Sequence, residues 1–329
     1  MYEYDKRVVL TLDAGGTNFV FSAIQGNNEM ISPIGLPAVS DNLDECLEVL
    51  VKGFDRVIAA IPVPPVAISF AFPGPADYEN GIIGDLPNFP SFRGGVALGP
   101  FLKHKYGIPV FIENDGNLFA YGEALSGALP MINRELSLAG CSREYKNLIG
   151  ITLGTGFGAG VVINKVLLTG DNGCGGDIWL MRNKKYPDML AEESVSIRAV
   201  RRVYSDLSGQ SSASLSPKDI YDIAEGIKEG DSHAAIASFN ELGIMAGAAI
   251  ASVLNVVDGL VVIGGGVAGA SKYILPALIT ELRAQLTTFS GNKFPCVSMQ
   301  VYNGEDESER ARFLSLSDSQ VVIPGTHLT

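Results

Sequence analysis

The chain has 329 residues, a net charge of −12, and 47% hydrophobic against 18% charged residues. That balance describes a chain with a sizeable buried core, not a disordered one, and the length suggests roughly two domains. The acidic surplus argues against a broad nucleic-acid footprint.

Residues 1–12 lack the apolar core of a signal peptide, and a strand begins almost at once. Strands are predicted at 7–13 and 19–24, around a tight Gly15-Gly16 turn. A helix follows at 43–54, a strand at 66–72, a helix at 96–107, a strand at 109–114 and helical residues from 117. The pattern then restarts: 147–153 and 158–163 read as strands around the glycines from Gly154 to Gly158. Helices fill about 190–257, interrupted by a Ser-rich surface loop at 205–216, and 259–266 is one more strand. Ser216, Pro217 and Asp219 start a helix as N-cap, first-position proline and third-position acid. The most apolar stretch, 243–257, runs 15 residues. That is short of the ~18 needed to span a bilayer, so it reads as a buried helix. Strands alternating with helices in both halves imply two α/β domains. Cys46, Cys141, Cys174 and Cys296 are far apart and read as reduced core thiols of a cytoplasmic protein.

Residues 11–18, TLDAGGTN, and 152–158, TLGTGFG, are one element used twice: strand, glycine turn, strand. A Rossmann fingerprint needs a helix after the turn, and no G-x-x-x-x-G-K-[ST] occurs. A glycine hairpin permits φ > 0 and lets backbone N–H groups approach an anion. Neither turn contains Lys or Arg. If the turns hold phosphates, backbone amides, the hydroxyls of Thr17 and Thr155 and a metal ion must balance the charge. Asp13 is well placed to hold Mg²⁺ through water. A pair of ordinary β-hairpins is the alternative.

The duplicated hairpin in two α/β domains resembles the actin-like ATPase superfamily. Residues 70–77 (FAFPGPAD), 86–94 (LPNFPSFRG), 111–123 (FIENDGNLFAYGE) and 261–270 (VVIGGGVAGA) narrow this. Together with 12–18 and 151–162, they look like the ROK family of bacterial sugar kinases and sugar-responsive repressors. The resemblance implies a two-domain actin-like ATPase (ribonuclease H-like) α/β fold with an interdomain cleft. The N-terminal domain would be 1–115, joined by a C-terminal helix at about 305–329, and the larger C-terminal domain 116–304. It implies that Asp13, Gly15, Gly16, Thr17 and Asn18 form the first phosphate turn, and Thr155 and Gly156 the second. Gly264, Gly265 and Gly266 would lie near the adenosine. Asn88 and Asn114 would bind sugar hydroxyls, and Asp115 would be the general base. Asp115 has independent support: it sits where a strand gives way to a helix, where a site usually lies in an α/β sheet and where the helix dipole favours a carboxylate. His104, His233 and His327 lie outside every motif.

The chain departs from the family at 175–196, GGDIWLMRNKKYPDMLAEESVS. Many ROK proteins have Glu-Ile-Gly-His here, followed by a zinc-binding cysteine cluster. In this chain Asp177, Trp179 and Leu180 replace the Glu, Gly and His, and no cysteine occurs between Cys174 and Cys296. Glu192 and Ser196 keep a later part of the pattern. The departure implies a zinc-free variant of the site, in which Asp177 and Glu192 would still bind sugar hydroxyls, with surface or capping carboxylates the alternative; Trp179 would line the sugar pocket or pack in the core, and residues 182–185 (RNKK) would form a solvated loop.

These features point to an ATP- and Mg²⁺-dependent hexose kinase, with glucose the default sugar. N-acetylmannosamine, N-acetylglucosamine, fructose and allose are alternatives. A sugar-responsive regulator is a further one, but the first strand starts too early for an N-terminal helix-turn-helix domain. The resemblance implies a homodimer; neither nucleic acid nor membrane is expected as a partner.

Overall fold

Period-two alternation builds the first strand: Val8, Leu10, Leu12 and Ala14 are buried, and the residues between them are not. The structure is a computed structural model that describes residues 2–15, 17–72, 74, 76–84 and 89–315. Its contacts group the chain into two units, Met1–Ser126 with Thr169–Gly175, and Gly127–Leu168 with Gly176–Thr329.

The first unit contains, in chain order, β1 (Val8–Ala14), β2 (Asn18–Gln25), β3 (Asn28–Glu29), β4 (Ile34–Pro37), α1 (Leu43–Ala60), β5 (Ala67–Ala71), β6 (Ala76–Asp77), β7 (Ile82–Ile83), α2 (Leu98–Tyr106), β8 (Val110–Glu113) and α3 (Asp115–Leu125). Its main sheet runs β3-β2-β1-β5-β8, with β4 also on β2. β1 is antiparallel to β2 and parallel to β5, and β5 is parallel to β8. Asn42 caps α1 by accepting from the Glu45 N–H, and the helix turns Cys46, Leu50, Phe54 and Val57 inward. Phenylalanine dominates this core. Phe54 meets Phe21 edge-on at 5.1 Å, and Phe89 stacks on Phe19 at 6.0 Å and lies 5.5 Å from Phe72. Of the four thiols only Cys46 is a buried core residue, and burial pushes it up to about 11; Cys174 is exposed.

The second unit contains α4 (Ala128–Leu138), β9 (Leu148–Leu153), β10 (Phe157–Ile163), β11 (Val166–Leu167), α5 (Ile197–Ser208), α6 (Pro217–Ala224), α7 (Ser232–Val257), β12 (Leu260–Gly264), α8 (Ser271–Leu282), β13 (Gln285–Thr287), β14 (Lys293–Pro295) and α9 (Glu307–Leu314). Its sheet runs β11-β10-β9-β12, with β9 antiparallel to β10 and parallel to β12. That repeats the β2-β1-β5 arrangement, so the duplicated hairpin carries a matching third strand in each unit.

The helix expected over 243–257 begins earlier, at Ser232, where Asp231 caps it by accepting from the Ala234 N–H. At 26 residues it is long and apolar enough to cross a bilayer, yet most of its apolar side chains are buried in the core of the second unit. Gly243 and Gly247 allow close packing on α8: a Cβ there would meet the Ile274 carbonyl at 2.4 Å and the Leu278 carbonyl at 2.9 Å. Side-chain contacts of α9 fall on the second unit, where Arg310 pairs with Glu135 and Phe313 packs on Tyr145. The described part of the last helix therefore groups with the second unit, not with residues 1–115 as the resemblance suggested. Residues 316–329 lie outside the described residues.

Candidate active site

In the first unit, three parallel strands end at one edge. Asp13, Ala71 and Glu113 stand in register on β1, β5 and β8. Two strand spacings separate Asp13 from Glu113, about 10 Å. Asp13, Thr17 and Asn18 are exposed around the first turn. A Cβ on Gly15 would meet the Asn18 carbonyl at 2.9 Å, so the turn closes on itself too tightly for a side chain. Gly16 and Asn88 lie outside the described residues, but Phe89, directly after Asn88, is anchored by Phe19 and Phe72.

Asp115 is the first residue of α3 and is exposed. Asn114 caps that helix: its Oδ1 accepts from the Gly116 and Asn117 N–H groups at 2.9 and 3.4 Å. Only the Asn114 Nδ2 is thereby left for a sugar, as a donor. Sequence reasoning missed Glu113. Its Oε1 accepts from the Asn114 N–H at 2.9 Å and from Asn117 Nδ2 at 3.1 Å, which fixes the first turn that presents Asp115. The only signal was an acid at the strand end.

In the second unit, Thr155 is exposed at the tip of the second turn, and α5 begins beside that turn: the Ile197 N–H donates to the Gly154 carbonyl at 3.0 Å. The Gly264–Gly266 run lies against the residue before the turn. Gly265 has φ +90°, and a Cβ there would meet the Leu153 carbonyl at 2.4 Å. The Val267 N–H donates to that same carbonyl at 2.9 Å. Nothing lies within 4 Å of a Cβ on Gly266, which leaves open space for a ligand.

Glu192 sits against the second turn. Its Oε2 accepts from the Phe157 N–H at 3.1 Å, and a Cβ on Gly156 would lie 2.4 Å from that oxygen. Its Oε1 pairs with Arg198 at 3.0 Å. The Glu192 hydrogen bond pushes the Arg198 pKa above its usual range. A cation thus stands near a turn that carries none in its own sequence, and only the return of α5 onto the turn reveals it. Asp177 is exposed, directly before a short 3-10 turn, Ile178–Leu180. Trp179 and Leu180 are exposed too, so the Trp is not a core residue; Ile178 fills the core. In the RNKK loop Arg182, Lys184 and Lys185 are exposed, as expected, but Asn183 is not. Asn183 is 2% exposed, Lys184 pairs with Glu281, and Lys185 pairs with Glu241. Among the described residues no cluster of His, Cys, Asp and Glu has the arrangement of a metal site.

The sequence profile of the ROK family matches residues 9–308. A glucokinase from Thermotoga maritima is 26% identical over 290 residues, 83% of this chain and 86% of its own length. The crystal structure of a glucokinase from Parabacteroides distasonis is 60% identical with a TM-score of 0.89, over 99% of this chain and 90% of that one. A glucokinase from Streptomyces griseus, solved in complex with glucose and AMPPNP, shares the fold at 20% identity, with a TM-score of 0.62 over 84% of this chain and 88% of that one.

Proposed function

Because the chain belongs to the ROK family, we propose that it is an ATP-dependent sugar kinase, a glucokinase, moving the γ-phosphoryl group of ATP to a hydroxyl of glucose. The single observation that carries the reading is Asp115, an exposed carboxylate opening a helix at a strand end, on a turn braced by Glu113 and Asn114. The 60% identity with the Parabacteroides distasonis glucokinase supports glucose as the sugar. Kinases for N-acetylglucosamine, N-acetylmannosamine, fructose or allose are the alternative within the same chemistry.

Phosphoryl transfer has a loose transition state, so positioning and charge balance matter more than base strength. Asp115 orients the attacking hydroxyl and takes its proton late. Asp115, Asn114 through its Nδ2, and Asn88 are assigned to the sugar. Glu192 and Asp177 are also assigned to the sugar, and Thr155 and Gly156 to the phosphates. Gly264, Gly265 and Gly266 are assigned to the adenosine, with open space beside Gly266. On the first turn Gly15, Gly16, Thr17 and Asn18 supply amides and a hydroxyl. The exposed Asp13 carboxylate, on a turn without a basic residue, fits Mg²⁺ held through water. When bound, that ion neutralises phosphate charge. On the family resemblance alone, the proposal extends to a cytoplasmic homodimer.

Asp115→Asn is expected to lower kcat by at least ~10²-fold, the lower range for a lost general base. Hexose affinity, measured by calorimetry, should change far less, because the amide still hydrogen-bonds. Turnover at the wild-type rate would remove Asp115 from the mechanism.

A further inference from the structure

Asn183 is a buried polar residue to which the sequence assigned no role, and it uses its full hydrogen-bonding capacity. Its Nδ2 donates to the Leu190 carbonyl at 3.2 Å and to Ser194 Oγ at 2.8 Å. Its Oδ1 accepts from the Lys185 and Tyr186 N–H groups, both at 3.0 Å. A planar amide offers two donors and one oxygen acceptor, and here all are engaged. No other side chain of this size substitutes. Aspartate has no donor and would bury a charge, and an aliphatic residue would take the amide partner from Ser194 Oγ and from the Lys185 and Tyr186 N–H groups.

The two acceptors of Nδ2 bracket one short element. Leu190 and Ser194 flank the 3-10 turn Ala191–Glu193, and Glu192 is its middle residue. One amide therefore clamps both ends of the turn that aims Glu192 at the Phe157 N–H. Backbone bonds reinforce the clamp: the Asn183 N–H donates to the Met189 carbonyl at 2.9 Å, and the Ala191 N–H to the Met181 carbonyl at 2.7 Å. The ion pairs Lys184–Glu281 and Lys185–Glu241 tie the same loop to α8 and α7.

We propose that Asn183 is a positioning residue for Glu192: it holds the Ala191–Glu193 turn so that the Glu192 carboxylate stays at the second glycine turn, ready for a sugar hydroxyl. This rests on the reading of Glu192 as a sugar ligand. A side chain that only stabilised the fold would act whatever residue stood at 192, whereas a clamp acting through Glu192 loses its effect when that carboxylate is gone.

The test is a kinetic cycle with the full chain, ATP·Mg²⁺ and glucose, comparing wild type, Asn183→Ala, Glu192→Ala and the double variant. A hydrogen bond to a charged group corresponds to about tenfold or more in affinity. Glu192→Ala is therefore expected to raise the glucose KM at least ~10-fold. Asn183→Ala should raise it by a similar factor with kcat nearly unchanged, and the double variant should match Glu192→Ala alone. Ser194→Ala removes one arm of the clamp without opening a large cavity. It should give a smaller KM rise that also vanishes in the Glu192→Ala background, and it serves if Asn183→Ala does not fold. An unchanged glucose KM in Glu192→Ala would overturn the sugar-binding role itself. A KM effect of Asn183→Ala or Ser194→Ala that persists in full without Glu192, or no effect in its presence, would overturn the positioning role alone.

Discussion

Gly156→Ala places one methyl group where the protein keeps a carboxylate. The added Cβ would stand 2.4 Å from Glu192 Oε2 and 3.2 Å from its Cδ. The φ of Gly156 lies outside the left-handed region, so the backbone itself tolerates alanine. Glu192 must therefore swing away. It then abandons the Phe157 N–H, which belongs to a residue only 1% exposed, and loosens its pair with Arg198. An unsatisfied buried donor costs ~1–3 kcal/mol. The ion pair adds little, since the Arg198 side chain is 55% exposed. Removing a glycine from the unfolded chain returns ~0.4–1 kcal/mol. A net loss of about 1–2 kcal/mol follows, or a Tm lowered by ~2–8 °C for a unit of this size. Gly154→Ala is the control, because nothing lies within 4 Å of its added Cβ, and its Tm should hold or rise slightly. In the Glu192→Ala background, Gly156→Ala should no longer lower the Tm. Thermal melts of the four proteins decide it, and an equal drop with and without Glu192 would refute the contact.

Phe89→Ala removes a ring 1% exposed from between Phe19 and Phe72, at a typical cost of ~3–5 kcal/mol. Since Phe89 adjoins Asn88, the hexose KM should rise well below the melting temperature, whereas Phe54→Ala should destabilise comparably and leave KM alone; equal KM values in the two variants would deny Phe89 any role at the site. Excess EDTA should abolish phosphoryl transfer and added Mg²⁺ should restore it, while elemental analysis should find less than stoichiometric zinc. Full activity in EDTA, or one zinc per chain, would contradict the metal assignment.

The hairpins were legible because period-two burial writes directly into sequence, as in Val8, Leu10 and Leu12 against Thr11 and Asp13. The start of α6 was equally plain: Ser216 and Asp219 form the reciprocal cap that their spacing implies, with Pro217 in the first turn. The place of Asp115, between a strand end and a helix start, was readable because both carry local signals. Long-range contacts were not. Glu192 reaches Phe157 across 35 positions, and Arg198 joins it only because α5 returns to Gly154. Asn183 was hidden inside a basic run whose composition reads as surface, although its amide is what the loop folds around. The start of α7 was obscured by His233, Asn240 and Glu241, polar residues that interrupt the apolar run without breaking the helix. The last helix buries no residue fully, so nothing in its pattern says which unit it joins. Arg310 with Glu135 and Phe313 with Tyr145 are the contacts that decide it.

One measurement reaches the central claim most directly: ATP consumption by the purified chain with Mg²⁺, read without sugar and then with each member of a hexose panel. The account expects negligible turnover without hexose, and glucose-dependent release of ADP matched one to one by sugar phosphate. ATP hydrolysis at the same rate with and without hexose, or no phosphorylated sugar from any member of the panel, would contradict it.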